Sequence, residues 1–558
     1  MSARPPDEEG DPTLVEPAAA DTHRGSFLVA AGILLSRLAG LLREVAVSAY
    51  LGVGVGADAF RAALRIPNLL QNLLGEGVLS ASFIPVYARL LDEDRRKAGR
   101  VAGAVAGLLC AASAVLVVAG MLLARPLTLV FTPGFEGERL DLAEDLLRIM
   151  FPGIGFLVLS AWCLGILNSH RQFFLAYVAP VLWNFAQIVV VVAVAVVGAS
   201  EAGIATALAW GVVAGGLLQL LVQVPSVRRL TPGLRLSLDR SMREVQEVLR
   251  RFSPVVVGRG VIQLLTYLEL VLASLLAVGA VSALAYAQVL YLLPISLFGM
   301  AVAAAELPEL ARLGRAGRAR IRQRMAEGMA RVSFYVAPTV AVYVLAGDVV
   351  VRVLLERGEF RAEDTRLVWL TLAGFSLGLL ATTRSRLLQN GLYALDRTKL
   401  VARIAVARGI VAVLVGGLLM FPLDRLGLEG SSIIRDGDLG LGPLPSSVAA
   451  LPRLGVLGLA IGSAVASWFE YAVLRGALQW RVGRLPGPSL GERWTLLAAL
   501  AAGVLAAGIR ANVESLPSVV GAALVLGPAL ATYLLITATM RVPEADALLA
   551  RARRLARR

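Results

Sequence analysis

Residues 26–50 read SFLVAAGILLSRLAGLLREVAVSAY, and residues 59–88 read AFRAALRIPNLLQNLLGEGVLSASFIPVYA. Each run is long enough, at about 1.5 Å per helical residue, to cross a hydrocarbon core about 30 Å thick. Lipid gives the backbone no hydrogen-bond partner, so such a run closes its own bonds as an α-helix. Comparable runs recur near 101–124, 142–168, 173–198, 202–223, 252–278, 281–311, 329–355, 367–395, 400–421, 455–480, 494–511 and 517–540. They predict an all-α integral membrane protein of about fourteen transmembrane helices. The alternating pattern of a membrane barrel is missing.

Composition agrees. The chain of 558 residues is 57% hydrophobic, has a mean hydropathy of +0.73 and is 17% charged, against about 25% for soluble proteins. The net charge of +14 rests almost wholly on arginine, with Lys97 and Lys399 as the lysines. On a soluble protein that charge would suggest nucleic acid. Here the arginines gather in short loops between apolar runs, so membrane lipids are the expected partner and nucleic acid is not. Cys110 and Cys163 both fall in apolar runs, which supports neither a disulfide framework nor a metal knot, and no cofactor is expected.

The basic loops alternate. Arg95, Arg96 and Lys97 follow the second run, Arg228 and Arg229 the sixth, Arg318 and Arg320 the eighth, and Arg481 and Arg484 the twelfth. Positive loops stay cytoplasmic, which predicts an even number of spans with both termini inside. Residues 1–24 read as a disordered cytoplasmic tail, polar and Pro-rich. Residues 25–224 form one six-helix block, 225–251 a basic cytoplasmic linker, and 252–480 a second six-helix block. The second block carries a Gly-, Pro- and Ser-rich extracytoplasmic insertion at 422–454, expected to be mobile. Two additional helices and a basic tail complete 481–558. Three glycine pairs at four-residue spacing (Gly103 and Gly107, Gly211 and Gly215, Gly458 and Gly462) are candidate helix-packing seams.

Charge inside a span costs about 2.5–3.5 kcal/mol unless it faces a cavity or a partner. The first two runs carry Arg37, Arg43, Glu44, Asp58, Arg61, Arg65 and Glu76. At 100° per residue, Arg37 and Glu44 share a helix face to within about 20°, and Asp58, Arg65 and Glu76 do likewise. Either these groups form a structural salt-bridge seam, or they line a net-cationic cavity. A cationic cavity in a membrane implies an anionic cargo, and guanidinium forks suit phosphate oxygens. Arg259 and Glu269 stand out among later intramembrane charges because their neighbours are apolar.

The same stretch resembles the opening of the MurJ/MviN family. Ser36-Arg37, Leu42-Arg43-Glu44, Ala57-Asp58-Ala59-Phe60, Ile66-Pro67-Asn68-Leu69-Leu70 and Glu76-Gly77-Val78-Leu79-Ser80 follow in order. The likeness continues through Pro133-Gly134-Phe135, Gly165-Ile166-Leu167-Asn168-Ser169, Leu293-Pro294 and Glu356-Arg357-Gly358-Glu359-Phe360. It implies a fourteen-span flippase in a bacterial inner membrane. The implied cargo is lipid II, the undecaprenyl-pyrophosphate-linked peptidoglycan precursor, turned from the cytoplasmic to the outer leaflet by alternating access. Cell-wall synthesis proteins are possible partners.

By the resemblance, Arg37, Arg43 and Asp58 match central-cavity positions. Arg61, Arg65 and Arg259 would add cavity charge where the chain departs from the family, at Gln71 and at Gln288-Val289. Some members hold sodium with an acidic residue in span 7 and Asn or Asp in span 11. Here Glu269 is the ion-coupling candidate, but span 11 offers Arg408-Gly409. Glu269 could pair with Arg408, titrate as a proton site, or join a sodium site. Two other functions fit the residues: a flippase for another polyprenyl-linked glycan, or a non-transporting paralogue in envelope assembly. An enzyme is not expected. The two histidines, His23 and His170, fall at membrane edges, and no catalytic constellation or metal site stands out.

Overall fold

The computed structural model describes residues 18–299, 318–430, 432–435, 442, 451–513 and 515–556. The first half runs through α1 (Ala18–Leu51), α2 (Val55–Leu74), α3 (Glu76–Ser82), α4 (Ile84–Glu93), α5 (Arg95–Leu122) and α6 (Ala124–Phe131). It continues with α7 (Gly137–Ser169), α8 (Phe173–Val196) and α9 (Glu201–Leu230). The second half holds α10 (Arg243–Ser274), α11 (Ala280–Pro294), a π-helical turn at Ile295–Gly299, and α12 (Arg318–Leu355). Then come α13 (Ala362–Ser376), α14 (Leu379–Tyr393), α15 (Thr398–Asp424), β1 (Leu426–Glu429), β2 (Ser432–Arg435) and α16 (Gly455–Val482). The chain closes with α17 (Leu490–Arg510), α18 (Ser518–Thr539) and α19 (Pro543–Ala556).

Local chemistry starts these helices where the apolar runs begin. Asp94 caps α5 by accepting from the backbone N–H groups of Arg96 and Lys97, Ser200 caps α9, and Ser489 caps α17. Among the described residues, eleven helical stretches, with α2–α4 taken as one, are long and apolar enough to cross a membrane, or twelve if α13 and α14, bent by 41°, count as one span. The expected fourteen is reached only by adding α1 and α10, which are 34 and 32 residues long and carry the intramembrane charges.

Several boundaries differ from those read in the sequence. The run at 59–88 is three helices, because the chain breaks at Gly75 and again at Phe83. Glu76 therefore does not continue the helical face of Asp58 and Arg65. The helix begins at Ala18, inside the expected tail, while residues 1–17 and the stretch 300–317 lie outside the described residues. In the insertion, β1 and β2 pair antiparallel, Leu428 N–H donates to Pro452 O at 2.9 Å, and Leu454 N–H to Leu426 O at 3.0 Å. That part is a pinned hairpin, not a mobile loop; residues 436–441 and 443–450 lie outside the described residues.

The bundle has two distinct ends. At one, the hairpin face, Gly134 N–H reaches Ser274 Oγ at 3.4 Å and Glu359 N–H reaches Ala49 O at 2.9 Å. At the other, the arginine face, Tyr87 bonds His170 at 3.0 Å and Thr231 at 3.4 Å, tying α4 to the ends of α7 and α9. There too Lys97 pairs with Glu244 at 2.6 Å, and Arg89 with Glu247 at 2.7 Å. The Lys97 bond holds the Glu244 carboxyl below its ordinary pKa, and the Arg89 bond does so for Glu247.

Two of the glycine pairs are helix seams. A Cβ on Gly462 would lie 2.4 Å from Gly416 N, joining α16 to α15, and one on Gly215 would lie 2.9 Å from Trp183 O, joining α9 to α8. The third pair does something else. Gly99, Gly103 and Gly107 lay one face of α5 bare, and the extended segment that follows α9 runs along it. Carbonyls of Pro232, Arg235 and Ser237 stand 2.1, 2.1 and 2.2 Å from where the three Cβ atoms would be. The basic linker is thus bedded on the first block. A Gly103→Val variant should lower the thermal midpoint in detergent, by about 1–3 kcal/mol of overpacking, because backbone is what it meets. Gly417→Ala, where nothing lies within 4 Å, is the control that should leave it unchanged or raise it.

Candidate substrate site

The charges of α1 and α2 meet at Glu44, which is 2% exposed. One carboxylate oxygen receives Arg43 and the other receives Arg61. Aromatic rings complete both guanidinium environments. Arg43 lies 4.8 Å from the Trp183 ring of α8, and Arg61 lies 4.6 Å from the Tyr286 ring of α11. One turn along α2, Arg65 donates to Gln288, whose amide donates onward to Glu269 at 2.8 Å. Three arginines face two carboxylates in this chain of contacts, which leaves one positive charge in surplus.

Arg37 shares the Glu44 face of α1 but is exposed, two turns nearer the arginine face. The inner face of α1 is sealed at Glu44 and open at Arg37. Nearby lies a cavity of about 600 Å³, lined by uncharged polar groups that include Gln71, Asn72, Ser80, Ser160, Gln219 and Gln263, and by Trp183. These lining residues come from the arginine-face halves of α2, α7, α8 and α9, with Ser80 from α3 and Gln263 from α10. The cation at Arg43 borders this cavity through the Trp183 ring.

Two expectations change on the structure. Asp58 does not line a cavity: it is 0% exposed, pairs with Arg139 of α7 at 2.7 Å, and accepts from Gly279 N–H at 2.8 Å and Ser282 N–H at 2.7 Å. Both its oxygens are spent in fastening α2 to α7 and to the start of α11. Arg408 does not pair with Glu269. Its partner is Glu470, at 3.3 Å, because α15 and α16 pack directly against each other and bring the two together. The side chains of Arg259 and Glu76 lie outside the described residues.

The hairpin face is closed by bonds between the two halves. Besides the Asp58 bonds and Glu359 N–H to Ala49 O, Ser48 Oγ donates to Leu355 O at 3.3 Å and Tyr286 Oη to Gly52 O at 3.1 Å. The sequence reading took Gln288 only as a lost family charge and missed Tyr286, Trp183 and Arg139, since it looked for charge chiefly within the first two runs. Polar amides inside apolar runs, such as Gln288, Gln219 and Gln263, were a signal available to it.

The bundle, sealed at one end and holding a partly neutralised arginine cluster, has a fold shared with solved MATE transporter structures. The fold matches an inward-facing multidrug resistance MATE family transporter with a TM-score of 0.63 at 15% identity, over 80% of this chain and 94% of that one. It matches a structure described as lipid II flippase MurJ, inward closed conformation, with a TM-score of 0.70 at 19% identity, covering 92% and 98%. The sequence model of the lipid II flippase MurJ matches residues 47–434. A probable lipid II flippase MurJ of Rhizobium tropici is 33% identical over 475 residues, 81% of each chain. The lipid II flippase MurJ of Burkholderia cenocepacia is 31% identical over 482 residues, 85% of this chain and 91% of its own. The chain belongs to the MurJ lipid II flippase family.

Proposed function

We propose that this protein turns lipid II from the cytoplasmic to the outer leaflet by alternating access, with its arginine face and both termini in the cytoplasm. The observation that carries this reading is the asymmetry of the bundle. The hairpin face is bonded shut, while Arg37 and the amide-lined cavity open toward the arginine face. Arg37, Arg43, Arg61 and Arg65 supply the cations for a pyrophosphate, and Glu44 and Glu269 hold three of them in place until an anion competes. Arg259 belongs to the same proposal by its place in α10. The prenyl chain stays in lipid.

The test is a strain depleted of its own flippase, followed by the arrival of lipid II in the outer leaflet. The wild-type chain should restore it, and Arg43→Ala should lose most of the restoration at equal membrane level. Restoration by Arg43→Ala equal to wild type would remove the arginine cluster from the mechanism. Orientation is read separately in a Cys110→Ser background. A cysteine at Ser432 should react with an impermeant reagent applied outside, and one at Gly487 should not. The reverse pattern overturns the topology.

A further inference from the structure

A second cationic site lies away from the α1–α2 cluster, where the α14–α15 turn meets the end of α16. The turn is tight: Asp396 takes a positive φ of 57°, and Arg397 N–H reaches back to Leu392 O at 3.0 Å. It opens a cavity of about 520 Å³ lined by Asp396, Arg397, Thr398, Lys399, Leu400, Arg403 and Arg481. Four cations surround it against the single carboxylate of Asp396. Arg397, Lys399 and Arg403 enter no ion pair among the described residues, and no side chain caps the first turn of α15.

The surroundings select the kind of anion. On α15, Arg403, Ile410, Leu414 and Leu418 fall on one helix face to within about 80°. The three apolar members are 50%, 66% and 61% exposed, so a bare hydrocarbon stripe descends directly below a guanidinium. Beside it, α16 exposes Phe469, Val473 and Trp480, and Arg481 lies 4.6 Å from the ring of Trp480, which is 80% exposed. An exposed indole with a cation on it belongs at the head-group level of a bilayer. The stripe belongs to a membrane span and meets acyl chains, which sets the cations at the level of phospholipid head groups, where a soluble anion would use the cations alone. A phospholipid uses both.

We propose that this pocket is a binding site for the phosphodiester head group of an anionic glycerophospholipid, with an acyl chain along the Ile410–Leu418 stripe. Basic pockets between transmembrane helices recognise such head groups through bidentate phosphate contacts. The site is separate from the proposed cargo cavity, so it stands or falls independently of the transported molecule.

The test measures lipid retention on the purified full chain by native mass spectrometry, with phosphatidylglycerol, cardiolipin and phosphatidylcholine supplied in turn. Either anionic lipid should be retained over phosphatidylcholine, and an Arg397→Gln, Arg403→Gln, Arg481→Gln triple variant should lose that preference on the order of tenfold or more. The exposed single change Lys399→Glu should weaken it in the same direction without disturbing the fold, and Leu414→Ser should weaken retention of all three lipids. Equal retention of anionic and neutral lipid, or a preference that survives the triple variant, overturns the site. Displacement of the lipid by millimolar inorganic phosphate also overturns it, since that marks a soluble-anion site.

Discussion

Asp58→Ala is expected to unlock the hairpin face. In the wild type this carboxylate is wholly buried, neutralises Arg139 and satisfies two backbone N–H groups at the start of α11. Alanine leaves Arg139 buried without its counter-charge, which costs about 3–5 kcal/mol when one partner of such a pair is removed. It also leaves two donors unsatisfied, at about 1–3 kcal/mol each where no water reaches them. Two outcomes are expected together: a lower thermal midpoint in detergent, and reaction of a cysteine at Ala57 with a reagent added from the hairpin face. Asp58→Asn, which keeps one acceptor oxygen, should fall between the two. The Asp58→Ala, Arg139→Ala pair should recover part of the loss, because no charge is then stranded. An unchanged midpoint with no labelling would remove Asp58 from the seal.

The second large effect is expected at Glu492. This residue of α17 receives Arg384 of α14 and Ser333 of α12, and all three are buried. It is one of the polar joints by which α17 and α18 hold α12 and α14, alongside Tyr533 Oη to Phe334 O at 2.6 Å and Arg510 to Asp348 at 3.1 Å. Glu492→Gln leaves the Arg384 guanidinium without a carboxylate, again at about 3–5 kcal/mol. Limited proteolysis of the segment at 483–489 should speed up, and the thermal midpoint should fall. Replacing both partners by apolar residues, Arg384→Met with Glu492→Met, should restore much of the stability, since the desolvation of two charges is then avoided. If the double variant is no better than Glu492→Gln, the pair is not what holds the helices.

How much of this was legible depends on what each residue does. Apolar length marks a span whatever surrounds it, so the all-helical membrane fold could be read directly, while the breaks at Gly75 and Phe83 could not, and 59–88 reads as one run. The runs at α1 and α10 read as spans although charges dilute their apolar character. Arg43, Arg61 and Arg65 were legible because charge in a span is rare and has to be met by something. What met them was not. Glu44 was one candidate among several, and Gln288, reached across 223 residues of sequence, has no local signal linking it to Arg65. Asp58 was singled out correctly as unusual and placed wrongly. Helical periodicity says which face a residue occupies, but not whether a neighbour covers that face. Gly103 and Gly107 taught the same lesson from the other side, since four-residue glycine spacing announces close approach without saying what approaches.

The closure of the hairpin face also has a genetic consequence. Glu359 N–H to Ala49 O and Tyr286 Oη to Gly52 O both end on main-chain oxygens, and Ser48 Oγ to Leu355 O does too. The side chains of Ala49, Leu355 and Glu359 contribute nothing to those particular bonds, so drift at these positions leaves the clasp intact. A survey of natural variation would therefore find Ala49, Leu355 and Glu359 quiet in this respect, with selection visible at Asp58, at the hydroxyl donors Ser48 and Tyr286, and at Gly52 and Gly358, whose positive φ values of 56° and 58° and would-be Cβ atoms 2.6 Å from Glu359 O and 2.2 Å from Ala49 O bar other residues. Resistance to a compound wedged in this clasp would have to arise at those few positions or elsewhere in the protein.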